Sequence, residues 1–131
     1  MSEEGRLWRL TDLAPEKLDE LPFGAIVVEY DGTIVAYNQY EARMARMERE
    51  AVVGRNFFRD IAPCTAVTAF EGRMRTFLAL PDHVSESFDY FFPFVHGSVD
   101  VTITFIKLAG KKQVLIAVER TDRMAAGVSS P

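Results

Sequence analysis

Two runs of aliphatic and β-branched residues, Ala25–Glu29 and Thr33–Tyr37, flank Tyr30, Asp31 and Gly32. An Asp-Gly pair between such runs predicts a β-hairpin. Much later the same texture returns in Ser85–Phe94, Val99–Leu108 and Gln113–Arg120, with breaks at His96-Gly97 and at residues 109–112. These three runs predict an antiparallel meander. Between the two strand groups the period changes. Asn38 is placed to cap a helix, with Glu41 three residues on as its capping-box partner, and the helix should run to about Arg46. Glu48–Val53 adds a further turn stopped by Gly54. Val67, Phe70, Met74, Phe77 and Leu78 recur at helical spacing, and Thr68 with Glu71 forms a second capping box, so a longer helix should cross the domain here.

Ahead of the hairpin, Leu10, Leu13, Leu18 and Leu21 fall on one side of one or two short helices interrupted at Pro15 and closed by Pro22. Two strands, then helices, then three strands give an α+β fold, a five-stranded antiparallel sheet with helices packed on it and an N-terminal helical cap, of the PAS type. The expected division is a cap segment at 1–22, a PAS-like binding domain at 23–120 and a small-residue tail at 121–131.

Composition narrows the setting. With 131 residues, 48% of them hydrophobic, the chain has enough apolar material for one core and too little length for two domains. Fifteen basic residues against nineteen acidic ones leave a net charge of −4, which argues against a nucleic-acid partner or an anionic membrane surface. A single cysteine makes no internal disulfide, the acidic start lacks a signal-peptide pattern, and no apolar run is long enough to span a bilayer. The expectation is a cytoplasmic protein.

Candidate chemistry is sparse. There is no Gly-rich phosphate loop, no metal-spaced His/Cys cluster and no nucleophile elbow, so an enzyme is not expected and no metal is assigned. Cys64 lies in an apolar stretch beside Pro63, where a lone cysteine reads first as a small buried hydrophobe. Tyr37 ends the second strand and Glu41 follows one helical turn later, so the two side chains can converge beside the sheet. Each also has a plainer reading, Tyr37 as a core tyrosine and Glu41 as an exposed capping residue.

The segment Asn56-Phe57-Phe58-Arg59-Asp60-Ile61-Ala62-Pro63-Cys64-Thr65 resembles the chromophore-attachment segment of the photoactive yellow protein family, Asn-Phe-Phe-Lys-Asp-Val-Ala-Pro-Cys-Thr. The likeness extends from Leu21 to about Arg120 and includes Phe23-Gly24-Ala25-Ile26, Asp31-Gly32, Tyr37-Asn38, Glu41 and Val53-Gly54. The resemblance implies a blue-light photoreceptor with 4-hydroxycinnamic (p-coumaric) acid bound covalently as a thioester on Cys64. It further implies that Tyr37 and Glu41 donate hydrogen bonds to the buried phenolate, and that Phe92 touches the ring. Glu41 must be protonated to donate, and burial raises a carboxyl in that direction. Light would isomerise the chromophore, Glu41 would pass on its proton, and the buried carboxylate left behind would drive rearrangement.

Three positions depart from the family pattern. Ala45 stands where a threonine bonds the tyrosine hydroxyl, Met47 where an arginine covers the pocket, and His96 where a methionine speeds recovery. Met47 therefore removes a nearby cation. The receiver is an unknown downstream signalling protein, and a homodimer partner also fits. Two rival readings stay open: a PAS-type sensory module binding another small ligand noncovalently with Cys64 inert, or a thiol chemistry on Cys64 activated by Arg55 or Arg59.

Overall fold

The computed structural model describes residues 15–65, 67–94, 97–108 and 110–120, with the backbone alone described at 15–16, 64, 92–94 and 97–99. The part of the expected cap before Pro15, His96 and the tail from Thr121 lie outside the described residues. So do the side chains of Cys64 and Phe92.

The strands are β1 (Gly24–Glu29), β2 (Ile34–Tyr37), β3 (Ser85–Phe94), β4 (Gly97–Lys107) and β5 (Gln113–Arg120). They form one antiparallel sheet in the order β2-β1-β5-β4-β3. The hairpin turn is made by its own residues: Asp31 Oδ1 accepts from the Thr33 amide at 2.9 Å, and Gly32 takes φ 97°, a left-handed value that glycine adopts without strain. Joining β1 to β5 closes the sheet between the two strand groups, with Ile26 opposite Ile116 and Gly24 opposite Val118.

Alternation along the strands sorts the side chains into two layers. One face carries Ile26, Val28, Val101, Ile103, Phe105, Val114, Ile116 and Val118, buried under the helical segments. The other carries Ala25, Val27, Ile106, Leu115 and Ala117, packed with Leu18 of the cap segment and with Phe23 just before β1. Residues Pro15–Glu20 form a 3-10 helix, and its Leu18 is buried in this second layer; Leu10 and Leu13 of the expected cap lie outside the described residues.

The helical layer holds α1 (Gln39–Ala45), α2 (Arg49–Val52) and α3 (Arg73–Ala79), with π-helical turns at Phe57–Ile61 and Thr68–Gly72. The single long helix expected after Val67 is thus two segments. Val67 rather than Thr68 takes the extended cap position and no side chain caps it. Glu71 is drawn instead to Arg75, four residues on, at 2.9 Å, which is the spacing of helix-surface pairs. Phe70 is fully buried and sits at the centre of the layer, with ring centroids 5.1–6.1 Å from those of Phe57, Phe58, Phe88, Tyr90 and Phe105.

Candidate functional site

The site is organised by Asn38, which has no exposed surface. Its Oδ1 accepts from the amides of Ala25 and Glu41, both at 3.0 Å. Its Nδ2 donates to the carbonyls of Leu18 at 2.9 Å and Phe23 at 3.0 Å. All four side-chain valences are used, so one residue ties the cap segment, the start of β1 and the first turn of α1 together. Asn38 is the helix cap that the sequence predicts. The reciprocal half of the capping box is absent, because the Asn38 amide donates to Ala25 and the Glu41 carboxylate is engaged elsewhere.

That carboxylate turns inward. Glu41 Oε1 accepts from Arg120 Nη1 at 2.9 Å and Oε2 from Arg120 Nη2 at 3.1 Å, a two-point pairing of guanidinium and carboxylate. Both side chains are more than nine-tenths buried. Glu41 is therefore not an exposed capping residue. Arg120 reaches it because β5 alternates: Val114, Ile116 and Val118 face the helical layer, and Arg120 continues that row at the end of the strand. β1 leaves room with Gly24. A Cβ there would overlap Glu41 Oε1, with Arg120 Nη1 only 3.4 Å away.

Tyr37, 3% exposed, lies on the same layer opposite Ile26. Its hydroxyl is pushed well above the ordinary phenol range, first by burial and then by the negative charge of Glu41, with Arg120 opposing. For Glu41, burial pushes the carboxyl up while the hydrogen bond and charge of Arg120 pull it back, and burial prevails. Tyr37, Glu41 and Arg120 thus form one electrostatically coupled group inside the protein.

The attachment-like segment borders this layer. Asn56 caps its first turn, accepting from the amides of Phe58 at 3.0 Å and Arg59 at 3.1 Å, and donates to the Asp31 carbonyl at 2.9 Å. The hairpin turn and the segment are thereby locked to each other. Phe57 and Phe58 are buried in the aromatic cluster, and Ile61 and Ala62 pack on it. Cys64 lies in the next turn, Pro63–Thr65, held by the Thr65 amide and hydroxyl, which both donate to the Ala62 carbonyl.

The structure brings Tyr37, Met47 and residues of the attachment-like segment onto one core layer, with Met47 partly buried against it. Ala45 is half-buried on α1, and Phe92 stands opposite Val99 in the β3–β4 ladder. Arg55 and Arg59, which the thiol reading required, are both exposed. Arg120 escaped sequence reasoning. Its signal was available in the parity of 114, 116, 118 and 120, which places it on the buried face.

This architecture is that of a PAS domain, and the PAS fold family matches residues 18–123. Among proteins of known identity, the photoactive yellow protein of Rhodothalassium salexigens is 40% identical over 85 residues, covering 65% of this chain and 67% of that protein. The photoactive yellow protein of Halochromatium salexigens is 33% identical over 111 residues, 85% of this chain and 88% of that protein. In the crystal structure of the photoactive yellow protein domain from the sensor histidine kinase Ppr of Rhodospirillum centenum, 98% of that chain and 86% of this one superpose with a TM-score of 0.77 at 33% identity. The chain belongs to the photoactive yellow protein family, a family of PAS photoreceptors. No helix among the described residues is long and apolar enough to cross a membrane.

Proposed function

We propose that this chain is a blue-light receptor carrying a 4-hydroxycinnamoyl group as a thioester on Cys64 Sγ, with the phenolate end held by Tyr37 and Glu41. The observation that carries this reading is the burial of two adjacent ionisable groups, Tyr37 and Glu41, on the layer that the attachment-like segment borders. A buried phenolate costs several kcal/mol unless donors meet it. A tyrosine hydroxyl, a protonated carboxyl and a guanidinium are a donor set suited to that anion. When bound, the group supplies the visible absorption and a double bond that light isomerises.

The chain's own residues supply the rest. Tyr37 donates without ionising, because burial, the largest influence on its hydroxyl, opposes a tyrosinate. Glu41 is the group able to change its proton: with the proton on Oε it donates, and without it the protein must accommodate a carboxylate in its core. That charge sits in the first turn of α1, one hydrogen bond from Asn38 and hence from the cap segment, so a change at Glu41 reaches the surface by a short covalent and hydrogen-bonded route. We place the chain upstream of a signalling partner, by analogy with the domain of the sensor histidine kinase Ppr, and we further propose a cytoplasmic location.

The test is a visible spectrum and an intact mass after exposure to activated 4-hydroxycinnamic acid. The expected result is one added acyl group and a yellow protein, with Cys64→Ala unlabelled. A colourless, unlabelled wild type overturns the reading in favour of a noncovalent PAS module, and a labelled Cys64→Ala protein overturns the attachment site.

A further inference from the structure

The buried cation is the feature that the proposed function leaves unexplained. Met47 stands where the family resemblance puts an arginine, yet the site is not short of positive charge, because Arg120 delivers a guanidinium from β5. Its five N–H groups are donors only, and both terminal nitrogens point at Glu41. A carboxyl that accepts through both oxygens is ionised. A Glu41 that holds a proton on one oxygen gives Arg120 a single good acceptor and leaves the guanidinium with an uncompensated charge. The pairing seen here and the donor role of Glu41 are therefore mutually exclusive.

We propose that Arg120 is a third binding residue of this site and exchanges partners: it clamps the ionised Glu41 when no anionic ligand oxygen is present, and serves as counter-ion to that oxygen when Glu41 is protonated. This rests on the reading of the site as a phenolate pocket. The exchange conserves charge. In the ligand-free protein one carboxylate faces one guanidinium; with a phenolate bound, one proton taken from solvent neutralises Glu41, and the phenolate faces the guanidinium. Among the described residues, the charged and titratable groups that bear on Glu41 are Arg120 from β5 and Tyr37 from β2, while β1 places Gly24 against it. Arg120 closes β5, where it stands opposite Val101 of β4, so its choice of partner is registered at the end of the central strand pair.

Carbon-13 and nitrogen-15 spectra of the Glu41 carboxyl and the Arg120 guanidinium in wild-type protein test this directly. They are recorded ligand-free, after loading with activated 4-hydroxycinnamic acid, and after loading with activated cinnamic acid, which lacks the hydroxyl. The expected result is an ionised Glu41 when ligand-free or cinnamoyl-loaded, and a protonated Glu41 with the hydroxycinnamoyl group. A second measurement is the pH titration of the yellow band. Arg120→Gln should raise the pKa of the bound phenol by about one unit, a roughly tenfold weaker hold on the anion, and Arg120→Lys should restore part of it. Glu41 ionised in all three states, or a phenol pKa unmoved in a folded, coloured Arg120→Gln protein, overturns the counter-ion role while leaving the light-receptor reading intact. Failure of Cys64 to take up either acyl group overturns both.

Discussion

Replacing Arg120 by Gln should be the most costly single change at the site, and its cost should depend on pH in a particular direction. In the native protein both Glu41 oxygens are bonded to Arg120 at 2.9 and 3.1 Å, with both side chains almost completely buried. Removing one partner of such a pair costs about 3–5 kcal/mol, because the remaining charge is left without compensation. At a urea slope near 1.5–2 kcal/mol/M, that is a midpoint about 2 M lower. The cost is bounded by protonation. Glu41 already has a carboxyl raised by burial, and loss of the opposing cation raises it further. A carboxyl raised on folding contributes stability below its unfolded value of about 4.3, and that contribution is lost as pH rises through the folded value. The destabilisation by Arg120→Gln should therefore be largest in mildly alkaline buffer and shrink on acidification. Below the ordinary carboxyl range Glu41 is neutral in both proteins and Arg120 is itself the uncompensated charge, so there the substitution should be neutral or stabilising. Urea titrations of wild type and Arg120→Gln across pH are the assay. A loss that is independent of pH, or smaller than about 1 kcal/mol in alkaline buffer, refutes a buried bidentate pair.

Gly24→Ala should act on the same pair from the other side: the new methyl overlaps Glu41 Oε1, and displacement of the carboxylate should cost about 1–3 kcal/mol, read as a lower urea midpoint with the same pH trend. Asn38→Ala strips partners from the amides of Ala25 and Glu41 and the carbonyls of Leu18 and Phe23; a loss of about 2–4 kcal/mol should accompany faster hydrogen exchange at the Ala25 and Glu41 amides, and unchanged exchange there would contradict the clamp. Phe70→Ala empties the centre of the aromatic cluster and should cost about 3–5 kcal/mol by chemical denaturation, with a cost under about 1 kcal/mol showing that the cluster is loosely packed.

The sheet was legible because its signals are local and redundant. Asp31-Gly32 fixed the hairpin, and the runs at 85–94 and 113–120 match β3 and β5 residue for residue. The helical layer was read less well, for identifiable reasons. The Thr68/Glu71 pattern has the residue types of a capping box, but Glu71 finds Arg75 on its own helix surface, and the apolar spacing at Val67, Phe70 and Met74 is met by a π-helical turn running into α3 as readily as by one helix. The turn at Phe57–Ile61 was missed although Asn56 announces it, since its side chain caps that turn and its amide is in turn capped by Asp60 at 3.0 Å. Five residues are too few for periodicity to show.

The site divided along a different line. Tyr37, Glu41 and Asn38 lie within five residues of each other, so a single helical turn sets their geometry and sequence spacing could reach it. Arg120 lies 79 residues from Glu41, and the link between them runs through three facts that no window contains: β5 pairs with β1, Gly24 stands opposite Val118, and Gly24 has no side chain. A charge at the end of an alternating strand is ordinarily read as solvent-facing. Here the alternation itself contradicts that reading, because Arg120 occupies the inward parity of Val114, Ile116 and Val118. Combined with an acid inferred to be buried, an inward arginine and a glycine on the inward row of the neighbouring strand, opposite Val118, amount to a prediction of contact. A buried carboxyl in such a sheet should prompt a search for its cation along the inward rows of the neighbouring strands, starting wherever a glycine leaves them open.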